Sequence, residues 1–66
     1  MHVPHGPEFR RGARLPHELR ARPYVVGNWR AYHLAPPRRG YEWVQVGPDF
    51  VLTAIGSGVI ATVVLR

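Results

Sequence analysis

The chain has 66 residues, with nine arginines, no lysine, four acids, four histidines and no cysteine, for a net charge of +5. At that length it forms one small domain, too short for separate substrate and cofactor domains, with a core worth only a few kcal/mol. The missing cysteine excludes disulfides and thiolate metal sites, and the charge points toward anionic partners.

In chain order, residues 1–8 carry the Pro/Gly punctuation of a flexible tail or linker remnant, without apolar periodicity. They lack the charged start and apolar stretch of a signal peptide. Phe9 to Leu15 reads as an extended Arg/Pro-rich N-terminal arm. Pro16 suits the first position of a short helical turn over His17-Glu18-Leu19-Arg20. Pro23 biases Arg22 toward extended geometry, and Tyr24-Val25-Val26 follows as a short strand. Asn28 is an N-cap candidate for a helix from Trp29 to about Leu34, on which Trp29, Tyr32 and His33 share a face. Pro36-Pro37 forbids its continuation, and Arg38-Arg39-Gly40 makes an exposed turn.

The last third alternates. Tyr41, Trp43 and Gln45 form one face of a strand and Glu42, Val44 and Val46 the other. Gly47-Pro48-Asp49 is turn chemistry, Phe50 to Ile55 a second run, Gly56-Ser57-Gly58 a second turn and Val59 to Leu65 a third run. Phe50 to Leu65 carries no charge, but as a helix it would reach only about 24 Å, short of a bilayer core, with a turn signal at its centre. A three-stranded antiparallel meander is therefore expected, and no transmembrane segment. The fold class is α+β: a small antiparallel β-meander, one short helix and the extended arm.

Gly12-x-Arg14-Leu15-Pro16, Tyr24-Val25-Val26, Asn28-Trp29 and Tyr32-x-Leu34 precede Pro36-Pro37-x-x-Gly40-Tyr41-x-Trp43-Val44-x-Val46-Gly47. Asp49-Phe50-Val51-Leu52 and Gly58-Val59-Ile60-x-x-Val63-Val64 follow. In that order and spacing the chain resembles the RcnB-type periplasmic domain, named for a bacterial nickel/cobalt homeostasis protein and also found in CigR-like envelope proteins. The resemblance covers residues 9–66 as one domain. It implies a small exported α+β domain in the periplasm or cell envelope, carried in its precursor behind a signal peptide and a low-complexity linker. It also implies a link to nickel or cobalt.

Imidazole suits both metals, so His2, His5, His17 and His33 are the candidate ligands, with Glu18, Glu42 and Asp49 as further oxygen donors. There is no His-x-x-x-His pair and no acidic cluster, which favours reading each histidine as a surface or half-buried residue. Ser57 is the one serine, flanked by glycines in a turn with no base nearby in sequence, and the carboxylates are scattered. No catalytic constellation is visible, and a non-enzyme is expected. Arg10, Arg11, Arg14, Arg38 and Arg39 are candidate anion-binding residues, for an anionic envelope polymer or lipid head groups. Nucleic acid is the less favoured partner, because the aromatics that would stack bases are needed in the core.

Both faces of the meander are largely apolar, and one short helix covers one of them. Either the arm or a second copy covers the other, and a homodimer is the expectation. The function expected is that of a non-enzymatic exported accessory or binding domain. A structural or oligomerising envelope module and an Arg-based anion or nucleic-acid binder are the alternatives.

Overall fold

Alternating β-branched and aromatic residues between Gly/Pro turns give three strands: β1 (Tyr41–Val46), β2 (Asp49–Ala54) and β3 (Ile60–Val64). They appear in a computed structural model that describes residues 10–65. Both pairings are antiparallel in the order β1-β2-β3, as the turn spacing requires. Val46 pairs with Asp49, so Gly47 and Pro48 make the whole first turn. Gly47 has a φ of 59° and the ring of Pro48 fixes a negative φ after it, the type II′ pattern that matches strand twist. In the second turn Val59 N–H donates to Ser57 Oγ at 3.2 Å and Gly58 N–H to the Ala54 carbonyl at 2.9 Å.

A bulge interrupts the second ladder. Leu52 pairs with Thr62 but Thr53 with Ile60, which leaves Ala61 as the extra residue. The bulge puts Ile60 and Val63 on one face although they lie an odd number of residues apart.

Each face of the sheet has its own core. On the first, Trp43, Phe50 and Leu52 pack with Val26 and Leu34, flanked by Trp29, Tyr32 and Tyr41. The Tyr32 and Phe50 rings meet at 4.9 Å between centroids, tilted by 43°. On the second, Val44, Val51 and Ile60 pack with Leu15, flanked by Ala13, Leu19, Val46 and Val63. Leu15 is 1% exposed, and burying such a side chain contributes about 1.5–3 kcal/mol. Of the two ways to cover this face, the described structure shows the chain's own residues 13–19 doing so.

The same segments guard the sheet edges. Val26 N–H donates to the Trp43 carbonyl at 2.9 Å beside β1. Beside β3, Gly12 N–H donates to Ile60 O, Ile60 N–H to Ala13 O and Leu15 N–H to Gly58 O, each at 2.8 Å.

Helical structure departs from the expectation. The described residues contain no α-helix, only 3-10 segments at His17–Arg20, Arg22–Tyr24 and Trp29–Tyr32. The first is where Pro16 places a helical turn. The second takes Tyr24 out of the expected Tyr24-Val25-Val26 strand and leaves Val25 and Val26 beside β1. Pro23 has no N–H for a ladder and its fixed φ suits a turn, so only Val25 bridges β1, opposite Val44.

The third segment replaces the expected helix to Leu34. His33 takes a left-handed conformation with a φ of 61°, while His33 N–H donates to Arg30 O at 3.0 Å and Leu34 N–H to Trp29 O at 3.1 Å. This is the Schellman stop, with histidine where glycine is usual. Asn28 makes no side-chain cap bond: Ala31 N–H takes its backbone carbonyl instead. The shared face of Trp29, Tyr32 and His33 is lost with the helix, since His33 is exposed while the two aromatics are half-buried against the core.

Candidate functional site

The early stop at His33 leaves the first face incompletely covered, and a groove of about 340 Å³ lies there. Its floor is the sheet itself, from Trp43 on β1 through Leu52 on β2 to Thr62 and Val64 on β3. One wall is the segment from Tyr32 to Pro36, and Arg38 stands at its margin. That wall is held in place by the indole of Trp43, whose Nε1–H donates to the Ala35 carbonyl at 2.8 Å. A tryptophan that lines the groove and also bonds its wall gives the site a defined shape, since the buried N–H has one well-placed acceptor.

The electrostatics of the groove are one-sided. Its charged lining residue is Arg38, which is exposed like His33, while the half-buried Tyr32 adds a phenol. Nearby on the same side, the Arg30 guanidinium carbon sits 5.3 Å from the centre of the Trp29 ring, within cation–π range. The described acids lie elsewhere. Glu42 alternates with Val44 and pairs with Thr53, and Asp49 pairs with Val46, so both belong to the second face. Glu18 sits in the 3-10 turn whose Leu19 packs on that same face.

The histidine candidates are not gathered. His17 lies in the turn beside the second core, and its Nδ1 faces Arg20 Nη2 at 3.5 Å. His33 flanks the first core at the groove wall. His2 and His5 lie outside the described residues. Among the described residues, no group of three or more His, Cys, Asp or Glu could hold a metal ion.

The arginine candidates are split. Arg10, Arg11 and Arg14 lie at the outer edge of β3, where Arg14 bridges Val59. Arg38 and Arg39 lie before the start of β1, where Tyr41 N–H donates to Arg38 O at 2.9 Å. All five are exposed, and the width of the sheet separates the two groups. Ser57 serves as an acceptor within its turn. Among the described residues, no helix is long and apolar enough to cross a membrane.

Of the groove residues, sequence singles out His33 as a metal candidate and Arg38 as an anion candidate, but does not bring them together with the others. Leu34 and Ala35 read as a helix end, Pro36 as a terminator and Thr62 as one residue of an apolar run. The one available signal was Thr62, a polar interruption on the strand face that also carries Val64.

No curated protein and no solved structure matches the chain significantly. A family model does match: RcnB, described as nickel/cobalt transporter regulator, over residues 12–62. That span runs from the glycine beside β3 to the threonine in the groove floor and takes in both cores, so this protein belongs to the RcnB family of nickel/cobalt transporter regulators.

Proposed function

We propose that the domain is a non-enzymatic, exported accessory module of nickel/cobalt homeostasis that works by binding a partner in the groove on its first face. The observation that carries this reading is the groove itself, an apolar floor centred on Trp43 with a wall fixed by the Nε1–Ala35 bond. Family membership supplies the nickel/cobalt context. The described residues do not fit a nickel or cobalt site of their own. One histidine has an arginine against its Nδ1, the other stands at the groove wall, and nothing adds a third donor to either. The metal connection then runs through the partner that the groove recognises.

Thr62 offers a clean test, because it lines the groove yet is exposed on β3. A Thr62→Arg variant fills the groove without touching either core. In cells lacking the native protein, wild type restores tolerance to nickel or cobalt and Thr62→Arg does not, while both give the same circular dichroism and melting temperature. Equal tolerance with the folded variant would remove the groove from the function.

A further inference from the structure

The groove continues into the stretch of the β3 edge beyond Ile60, with which no described residue pairs. Trp43 O accepts from Val26, so the odd-numbered residues of β1 turn their peptide groups outward and the even-numbered ones toward β2. Across the ladder, Phe50, Leu52 and Ala54 of β2 then face β3, in agreement with Ala54 N–H donating to Val59 O at 2.9 Å. Thr62 and Val64, opposite Leu52 and Phe50, therefore bond inward, and the N–H and C=O of Val63 point out of the sheet.

The described residues 10–15 do not follow β3 that far. Ala13 N–H donates to Arg10 O at 3.0 Å and Gly12 has a φ of 88°, so a tight turn takes the chain off the strand beyond Ile60. Among the described residues, nothing pairs with Val63. The segment from Ala61 to Leu65 has no charge and no proline, two of the usual devices that discourage strand addition, and Leu65 is 75% exposed.

We infer that this edge and the groove beside it form one docking surface for an extended acidic–apolar segment of a partner protein, added antiparallel or parallel to β3. The inference rests on the groove reading above and names the chemistry of its partner. Strand addition gives such a segment backbone partners at Val63. Alternate side chains of the added strand then stand beside Thr62 and Val64, at the open flank of the groove. Charge selects the sign of the occupant. The first face carries Arg38, His33 and the nearby Arg30, while the described acids Glu18, Glu42 and Asp49 belong to the second. Carboxylates on the incoming segment meet Arg38 and Arg30 and none of the described carboxylates, which favours encounter and fixes orientation. A lipid head group would use the cations but has no use for the outward N–H and C=O of Val63. A second copy would bring like charge to like.

The test uses the whole chain and a short blocked peptide of alternating Glu and Val, with a Lys/Val counterpart and phosphatidylglycerol vesicles as the other arms. The acidic peptide is expected to shift the amide resonances of Thr62 to Leu65 and the Trp43 indole, and to slow exchange of the Val63 amide. Arg38→Glu is expected to weaken it by about three- to tenfold, the range of a rim charge, and to admit the Lys/Val peptide. Any of four results overturns the inference: no response to the acidic peptide, equal response to both peptides, shifts confined to the second face, or vesicles producing the shift pattern that the peptide fails to produce. A doubled mass in light scattering before peptide is added, with Val63 protected, would also overturn it by assigning the edge to a second copy. If the peptide fails while Thr62→Arg still abolishes metal tolerance, the acidic-segment partner falls and the groove reading stands.

Discussion

Replacing Thr53 by valine should make this protein more stable. Thr53 is 0% exposed, facing Ile60 across the ladder, and its Oγ1 has no hydrogen-bond partner among the described residues. A buried hydroxyl left unpaired costs about 1–3 kcal/mol of desolvation, and the methyl that replaces it adds up to about 0.8 kcal/mol of burial in a shape of nearly equal volume. The unfolded chain recovers part of this, so a net gain of about 1–3 kcal/mol is expected. For a domain of this size that raises the melting temperature by about 7–20 °C. Thermal and urea unfolding followed by circular dichroism would read it, with Thr53→Ser as the control. Serine keeps the hydroxyl and loses the methyl, and should cost about 1 kcal/mol. A neutral or destabilised Thr53→Val protein would refute the reasoning and mean that the hydroxyl has a partner in solution. The place to look would then be Arg20, whose Nε is also buried without a partner. A coupling above about 0.5 kcal/mol between Thr53→Val and Arg20→Met would point to a water shared by the two.

Gly58 gives a second stability test. Its φ is 81° and an added Cβ would stand 2.6 Å from Arg20 Nη1, so Gly58→Ala meets both backbone strain and a guanidinium that must move. The strain alone is about 1–2 kcal/mol, and the Arg20→Ala background should reduce the total cost to that part. An unchanged cost in that background, measured by urea unfolding, would show that the guanidinium is not what the alanine meets. Trp43→Phe removes the donor to Ala35 and opens space under the groove, which should cost about 2–4 kcal/mol and speed amide exchange at Leu34. Trp29 remains to report unfolding by fluorescence, and protection at Leu34 equal to wild type would mean that the wall does not depend on this bond.

The strands were legible because their cause is local. Tyr41 to Val46 alternates at period two, Phe50 to Ile55 is a run rich in β-branched residues, and Gly47-Pro48 and Gly56-Ser57-Gly58 are turns by composition alone. What resisted reading has non-local or cancelling causes. The bulge at Ala61 sits in a run of small and β-branched residues with no glycine or proline to mark it, and only the partner strand reveals it. Asn28 has the chemistry of an N-cap, yet a four-residue 3-10 turn satisfies its first amide from the backbone carbonyl and leaves the side chain unused. Leu15 ends the arm and Leu19 lies in the short helical turn, with nothing local to mark either as core. Their spacing is that of a helical turn, but their importance comes from Val44, Val51 and Ile60, far along the chain. The groove was invisible for the same reason, since its floor and wall are assembled from four separate segments.

The groove follows from a small competition at His33. The periodicity of Trp29, Tyr32 and His33 favours an α-helix running on to about Leu34. Pro36-Pro37 sets an outer limit to that helix, but the chain stops earlier. The 6→1 bond from Leu34 N–H to Trp29 O closes the turn, and Leu34 swings down into the core against Trp43 and Phe50. Holding a histidine at a φ of 61° costs about 1 kcal/mol, which burial of Leu34 at 7% exposure more than offsets. The stop therefore stabilises the domain even though it leaves part of a sheet face open, and it sets His33 at the groove wall near Arg38. Overall charge carried less information than its placement. The described acids fall on the face that the chain covers itself, and the face left open has Arg38 at its groove margin and Arg30 nearby.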